Sequence, residues 1–340
     1  MFVSHDTAFE VLLLQASTDG REETLFGSCV PRVREVVHPF LVGTSFPEIY
    51  LEFPLLGEPF LDVTLLYSNL PEQTRIDSPL AEGCEEIVSF YQRERSRIDD
   101  ISFGFELDCS RNDASAAGIH FQPRSHTELV DPFCQVAGEP ERAALYHAQN
   151  ARMVEGWSLD FFGMFRGRKS SPLRVCGYIN PEAGKRCAKD PILLGKTLTQ
   201  AGFEDFDDTL LEQAARVLEL APDAIDFQLD VLPDGRLGDM FAIDIRFDTM
   251  RSSVVKESFT GGVCADIMKQ LMNWGIADER TQLMPDMTFT RGLRFEDEGE
   301  MKNYALVLTP AWLKVRWRAG VLQPSKMYMR MAAGDATSKD

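Results

Sequence analysis

Several familiar signatures are missing from this sequence. It has no Cys-x-x-Cys pair, no His-x-Asp or His-Glu-x-x-His spacing, and no glycine-rich dinucleotide fingerprint. Without the last, nothing supports a Rossmann sheet. The seven cysteines (Cys29, Cys84, Cys109, Cys134, Cys176, Cys187, Cys264) are scattered and odd in number. They read as reduced thiols of a cytoplasmic protein, not as a disulfide framework or a zinc site. Long hydrophobic runs are also absent. Val11–Leu14 is too short to span a bilayer and no basic segment precedes it, so the sequence reads as soluble, with no membrane partner. Positive charge is scarce: 35 Lys and Arg stand against 53 Asp and Glu, a net charge of −18. That argues against nucleic-acid binding, which needs cations to neutralise phosphates.

What is present suffices for one large core or two medium ones: 340 residues, 44% of them hydrophobic. Residues 1–45 read as a segment packed on the main domain, 46–331 as a single α+β domain, and 332–340 as a disordered tail. Within the domain, strand-like segments come in pairs. Strand side chains alternate faces with a period of two. In 46–53, Glu48, Tyr50 and Glu52 share one face, opposite Ile49, Leu51 and Phe53, and 60–68 is the partner strand. The second pair is 101–108 with 118–124, and the third 158–168 with 172–180. The third puts Asp160, Phe162, Met164, Arg166 and Arg168 on one side and Arg174, Cys176 and Tyr178 on another. The fourth, 224–232 with 240–248, is joined by the turn Pro233-Asp-Gly-Arg. The fifth is 287–295 with 304–318, and it carries Arg294. Helical sequence intervenes: 79–97, 128–153, 190–201, 207–220 and 260–275.

Five unlike pairs at spacings of roughly 55–65 residues are too long and too varied for a solenoid. Hairpins covered by helices suggest a closed antiparallel barrel of about ten strands, which leaves no exposed edge. An open antiparallel sheet with helices on one face gives the same alternation. If helices coat a barrel, the apolar faces point outward and the polar faces line a lumen. Burying so many charges without water or a ligand would be costly, so the lumen reads as a wet, ligand-holding cavity.

Against the acidic bias stand the cations near the end of the chain: Lys314, Arg316 and Arg318 on one face, then Lys326, Tyr328 and Arg330 on another. They admit two readings, an anion-holding lining or cross-strand salt bridges. Glu52 is likewise a base or an arginine's partner. His120 and His126 are a metal cluster with Glu106 and Asp108, or loop and surface histidines. Gly261-Gly262 cups an anion or simply starts a helix. Cys187, among basic neighbours, has a lowered pKa or is a surface thiol without a role.

The alternation of strand pairs and helices over 46–331 resembles the αββα "PT barrel" of soluble aromatic prenyltransferases, including those that prenylate cyanobactin-type peptides. The resemblance implies transfer of an isoprenyl group from an isoprenyl diphosphate to an aromatic or peptide acceptor. It implies that the diphosphate is held by Arg, Lys and Tyr of successive strands, here Arg166, Arg174, Tyr178, Arg246, Arg294, Lys314, Arg316 and Tyr328. A carboxylate on an early strand, Glu52 or Glu48, would be the base. Mg²⁺ is the one helper such chemistry invites; no organic cofactor and no protein metal site are expected. From another class, the same cavity could serve a non-catalytic binding protein for a peptide or an acidic small molecule.

Overall fold

A computed structural model describes residues 4–43, 45–71, 74–109, 116–165, 171–221, 225–297 and 300–335. The strands are β1 (Glu48–Pro54), β2 (Asp62–Tyr67), β3 (Ser102–Leu107), β4 (Gly118–Gln122), β5 (Trp157–Phe165), β6 (Leu173–Ile179), β7 (Ile225–Val231), β8 (Leu237–Arg246), β9 (Phe289–Asp297), β10 (Glu300–Arg318), β11 (Val321–Leu322) and β12 (Lys326–Asp335). The helices are α1 (His5–Ser17), α2 (Val30–Val37), α3 (Glu85–Arg95), α4 (Val130–Val136), α5 (Glu141–Asn150), α6 (Pro181–Lys189), α7 (Pro191–Ala201), α8 (Asp208–Leu220), α9 (Ser252–Gly261), α10 (Val263–Asn273) and α11 (Met284–Met287).

The sheet closes. β1 through β8 follow one another in chain order, β10 pairs β8, and β12 joins β10 to β1, giving an antiparallel ring of ten strands. The open-sheet alternative is therefore set aside. β10 is long enough to do two jobs: its first half pairs β9, and its second half, from Trp312 to Arg318, pairs β8. The ring's fifth pair is thus β10 with β12, not β9 with β10 as the sequence suggested. β9 stands outside the ring, and Arg294 with it. β12 runs to Asp335, into the segment expected to be a disordered tail.

The faces sort as expected. Ile49, Leu51, Phe103, Phe105, Phe121, Val175, Phe227, Ile243, Leu313, Val315 and Trp317 are buried outside the ring against the helices. Each such burial stabilises by roughly 1.5–3 kcal/mol. Trp317 also donates its indole N–H to Gln213 on α8, 2.9 Å away. α1 and α2 belong to the same core through Phe9, Leu12, Val33 and Val37. Local signals explain the helix ends. Asp190 caps α7 with bonds to the amides of Ile192 and Leu193, and Gly202 closes it in the left-handed region at φ 92°. Asp207 caps α8 through the Leu210 amide. The helix expected over 128–153 is two, α4 and α5.

One strand face is not where strict alternation put it. The β5–β6 register shifts between Leu159 and Phe161. A bulge adds a residue and reverses the sides beyond it. Phe162 and Met164 therefore face the helices, Phe162 packing on Phe133 at 5.6 Å between centroids. Phe161, with Asp160, faces inward.

Candidate functional site in the barrel lumen

The lumen holds a cavity of about 330 Å³. Strand after strand contributes to it: Glu48, Tyr50 and Glu52 from β1, Glu106 from β3, His120 from β4, Phe161 from β5, Arg174 and Cys176 from β6, Asp226 and Gln228 from β7, Asp244 and Arg246 from β8, Trp312 and Lys314 from β10, and Tyr328 from β12. It meets a second, more open groove that shares Glu48, Ser68 and Asp248.

The cations are mostly paired. Arg246 donates to both oxygens of Asp248 at 3.0 and 2.8 Å and lies 3.6 Å from Asp226. Arg174 lies between Glu106 and Asp230, at 3.6 and 3.5 Å, over the Phe165 ring. Lys314 donates to Gln228 at 2.8 Å and sits 3.6 Å from Asp244 and over the Tyr328 ring. Lys326 is bonded to Glu52, and Arg330 to Glu48, which also accepts the Tyr50 hydroxyl at 2.8 Å. The salt-bridge reading of the cationic strands therefore holds for most of them.

Arg316 is different. It sits one lumenal step beyond Lys314 on β10, opposite Ala242. It does not line the cavity itself, yet Tyr328, Glu52 and Arg174 are close enough to act on it electrostatically. Its Nε is buried without a hydrogen-bond partner. Burial, not offset by a bonded carboxylate, lowers its pKa below the usual guanidinium range.

Among the described lining residues, seven carboxylates (Glu48, Glu52, Glu106, Asp160, Asp226, Asp244, Asp248) outnumber four permanent cations (Arg124, Arg174, Arg246, Lys314). The imbalance shows in the titrations. Burial, against the pull of Arg246, pushes Asp226 up to about 7. Burial also raises Asp244, whose Oδ1 has no partner. Glu52 and Glu106 go the other way. Burial opposes ionisation in both, but Lys326 holds Glu52, and His120 with Arg174 holds Glu106, below the ordinary carboxylate range.

Of the residues expected in the site, the candidate bases Glu48 and Glu52 and the candidate donor-binding residues Arg174, Arg246, Lys314 and Tyr328 meet in this cavity. Tyr178 lies on the lumenal register of β6, opposite Asp226, but does not reach the lining. Arg294, across from Asn303 on β9, lies outside the ring. Arg166 falls outside the described residues. Sequence reasoning missed Trp312, which stacks on Tyr50, and Phe161, hidden by the bulge. His120, on the polar face of its strand as the alternation places it, is 9% exposed on β4 with Nε2 2.9 Å from Glu106, which sets aside the loop or surface reading for it. His126 does lie in a turn, bridging Asp100 and Glu128. Gly262 is the start of α10. Cys187 is neither a surface thiol nor acidified: it is buried, and burial raises its pKa.

Among the described residues no helix is long and apolar enough to cross a membrane. No protein-family model and no curated protein matches the sequence. Solved structures share its fold along nearly the whole chain, two of which illustrate the likeness. One is 5-dimethylallyltryptophan synthase from Streptomyces coelicolor, 13% identical with a TM-score of 0.52, covering 97% of each chain. The other is 5-dimethylallyl tryptophan synthase from the same organism in complex with DMASPP and Trp, 11% identical with a TM-score of 0.54, covering 97% of this chain and 95% of that one. At such identities the likeness is one of fold. The chain has the closed αββα barrel architecture of the aromatic prenyltransferases.

Proposed function

We propose that this protein is a prenyltransferase that moves an isoprenyl group from an isoprenyl diphosphate to an aromatic acceptor, free or carried in a peptide. Arg316 carries the reading. A half-buried guanidinium with no carboxylate bonded to it and an unpartnered Nε has donors free for an anion's oxygens. Lys314, Arg174, Lys326 and Tyr328 surround that end of the lumen, so diphosphate would exchange some of their carboxylate partners for phosphate oxygens. The Streptomyces coelicolor complex with DMASPP and Trp supports a donor and an aromatic acceptor in this fold.

In this reading the prenyl C1–O bond breaks and the electron pair leaves with diphosphate, whose growing charge meets fixed cations. The π faces of Tyr50, Trp312, Tyr328 and Phe161 border the space where positive charge develops on the prenyl group. Glu48 and Glu52 flank Tyr50 and orient the acceptor. Arg246 sits among Asp248 and Asp226, on the acceptor side. Tyr178, which does not reach the lining, and Arg294, on a strand outside the ring, take no part in this reading. Mg²⁺ would arrive with the diphosphate, whose oxygens supply much of its octahedral shell; among the described residues no cluster of three or more His, Cys, Asp or Glu could hold a metal. The unpaired thiols fit a cytoplasmic protein.

A second reading, a non-catalytic binding protein, is favoured by the excess of carboxylates in the lining. Its ligand would be cationic, not the acidic molecule the sequence suggested. Thermal stability with dimethylallyl diphosphate and Mg²⁺ separates the two. Donor at 100 times its dissociation constant should stabilise the protein by roughly 2.7 kcal/mol, and mass spectrometry should find a prenylated aromatic product. No shift at millimolar donor, with a shift on adding aromatic amines, would favour the second.

A further inference from the structure

We propose that His120, held by Glu106, is the base that removes the acceptor's proton, an assignment that rests on the prenyl-transfer reading above. The pair is built by three glycines. Gly104 is directly across from His120 and Gly118 across from Glu106, so neither side chain has a lumenal neighbour in its own register pair. A Cβ on Gly118 would lie 3.2 Å from that of Glu106. On the next strand Gly163 faces the imidazole, and a Cβ there would lie 3.0 Å from Cε1 and 3.1 Å from Nδ1.

The hydrogen bond decides which nitrogen is available. Glu106 is kept ionised by His120 and Arg174, and a carboxylate can only accept. Nε2, 2.9 Å from Glu106 Oε2, therefore carries the hydrogen in the neutral ring. Nδ1 holds the lone pair, and no side chain or backbone group among the described residues bonds to it. This is the relation between base and orienting carboxylate that activates nucleophiles elsewhere. The other carboxylates of the first strand are less suited: Glu52 is bonded to Lys326, and Glu48 to Arg330 and Tyr50. The groups that set the charge around His120 are Glu106 on β3 and Arg174 on β6, with Glu52 and Lys314 acting on Glu106 from β1 and β10. β5 presents Phe161, Gly163 and Phe165 to the ring, and its one ionisable residue in the lining, Asp160, is bonded to Gln122 further along β4.

The step balances. The acceptor's X–H atom bonds to prenyl C1 as the C1–O bond breaks; diphosphate leaves with that electron pair, and the proton passes from X to Nδ1. The imidazolium then donates to Glu106 until the proton escapes to water. The test uses dimethylallyl diphosphate and L-tryptophan as probes, with wild type, His120→Gln and Glu106→Gln. Product formation in His120→Gln should fall by about 10²–10⁴-fold and lose the acidic limb of the rate–pH profile, while the donor-induced rise in melting temperature stays. Glu106→Gln should shift that limb without abolishing it. An unchanged rate and limb in His120→Gln would overturn the assignment and leave prenyl transfer standing. A wild type that neither binds the donor nor turns over would overturn the underlying reading, and this one with it. Nitrogen-15 NMR of the ligand-free protein tests the geometry without turnover: an Nδ1–H tautomer for His120 would also overturn it.

Discussion

The rings of Tyr50 and Trp312 stack with centroids 4.2 Å apart and planes 13° from parallel, linking β1 to β10 across the intervening β12. The bulge in the β10–β12 pairing between Pro310 and Trp312 accompanies this placement, and Tyr328 adds a third ring 5.7 Å from the indole. The indole N–H is buried without a partner. Trp312→Phe keeps the stack and removes the orphan donor, so its urea midpoint should match or exceed wild type. Trp312→Ala should cost about 3 kcal/mol.

Arg316 sets function against stability. Because its Nε lacks a partner, Arg316→Leu should leave the ligand-free urea midpoint unchanged or raise it. The same variant should bind dimethylallyl diphosphate about 10- to 150-fold more weakly, the equivalent of 1.5–3 kcal/mol for a charge-assisted hydrogen bond. Calorimetry measures the second effect. Undiminished donor affinity would remove Arg316 from the donor site.

Much of this was legible because strand alternation is strict where strands are regular. Glu48 with Glu52, Lys314 with Arg316, and Tyr328 with Lys326 could each be placed on one face of their strand from spacing alone, and helices over the apolar faces made the polar ones lumenal. Spacing fails wherever pairing is not local. A single bulged residue after Leu159 sent Phe162 outward and Phe161 inward. Arg294 lies in a good hairpin, yet whether that hairpin belongs to the ring depends on which half of β10 meets β8. The His120–Glu106 bond joins residues 14 apart on two strands. Only the register shows that it forms.

The contribution of Asp226 to stability should fall as pH rises from about 4 to about 7. The folded Asp226 carboxyl titrates at about 7 against an ordinary 3.8, and Asp244 is displaced in the same direction. Between those values the native state holds a proton that the unfolded chain has released, so raising pH favours unfolding. Asp226→Asn should match wild type below about pH 4 and exceed it above about pH 7, by a margin on the order of a few kcal/mol. Urea unfolding at the two pH values reads the difference. Equal stability at both would show Asp226 to be ordinary.

Gly177 tests how closely the wall of the barrel is built. A Cβ there would stand 2.1 Å from the Ser158 carbonyl oxygen and 2.6 Å from the Phe227 ring. Neither backbone nor a ring fixed between sheet and helices can retreat cheaply. Gly177→Ala should cost at least about 2 kcal/mol in urea unfolding, whatever ligand is present.

Glu52 offers the sharpest comparison, because two roles for it make opposite demands. As the catalytic base it would have to be free to take a proton, and Glu52→Gln would then cut turnover by about 10²–10⁴-fold at little cost to the fold. Its environment argues for the other role. The carboxylate is 7% exposed, bonded to Lys326, and held below the ordinary carboxylate range by that partner. A proton acceptor so stabilised as an anion is a weak base, and removing its charge strands a mostly buried ammonium. Glu52→Gln should therefore lose about 3–5 kcal/mol of stability, as when one member of a buried ion pair is deleted. The double variant Glu52→Leu with Lys326→Met should recover most of it. The acidic limb of the rate–pH profile should survive in Glu52→Gln, because a different group supplies it. A stable Glu52→Gln protein without that limb would return the proton to Glu52.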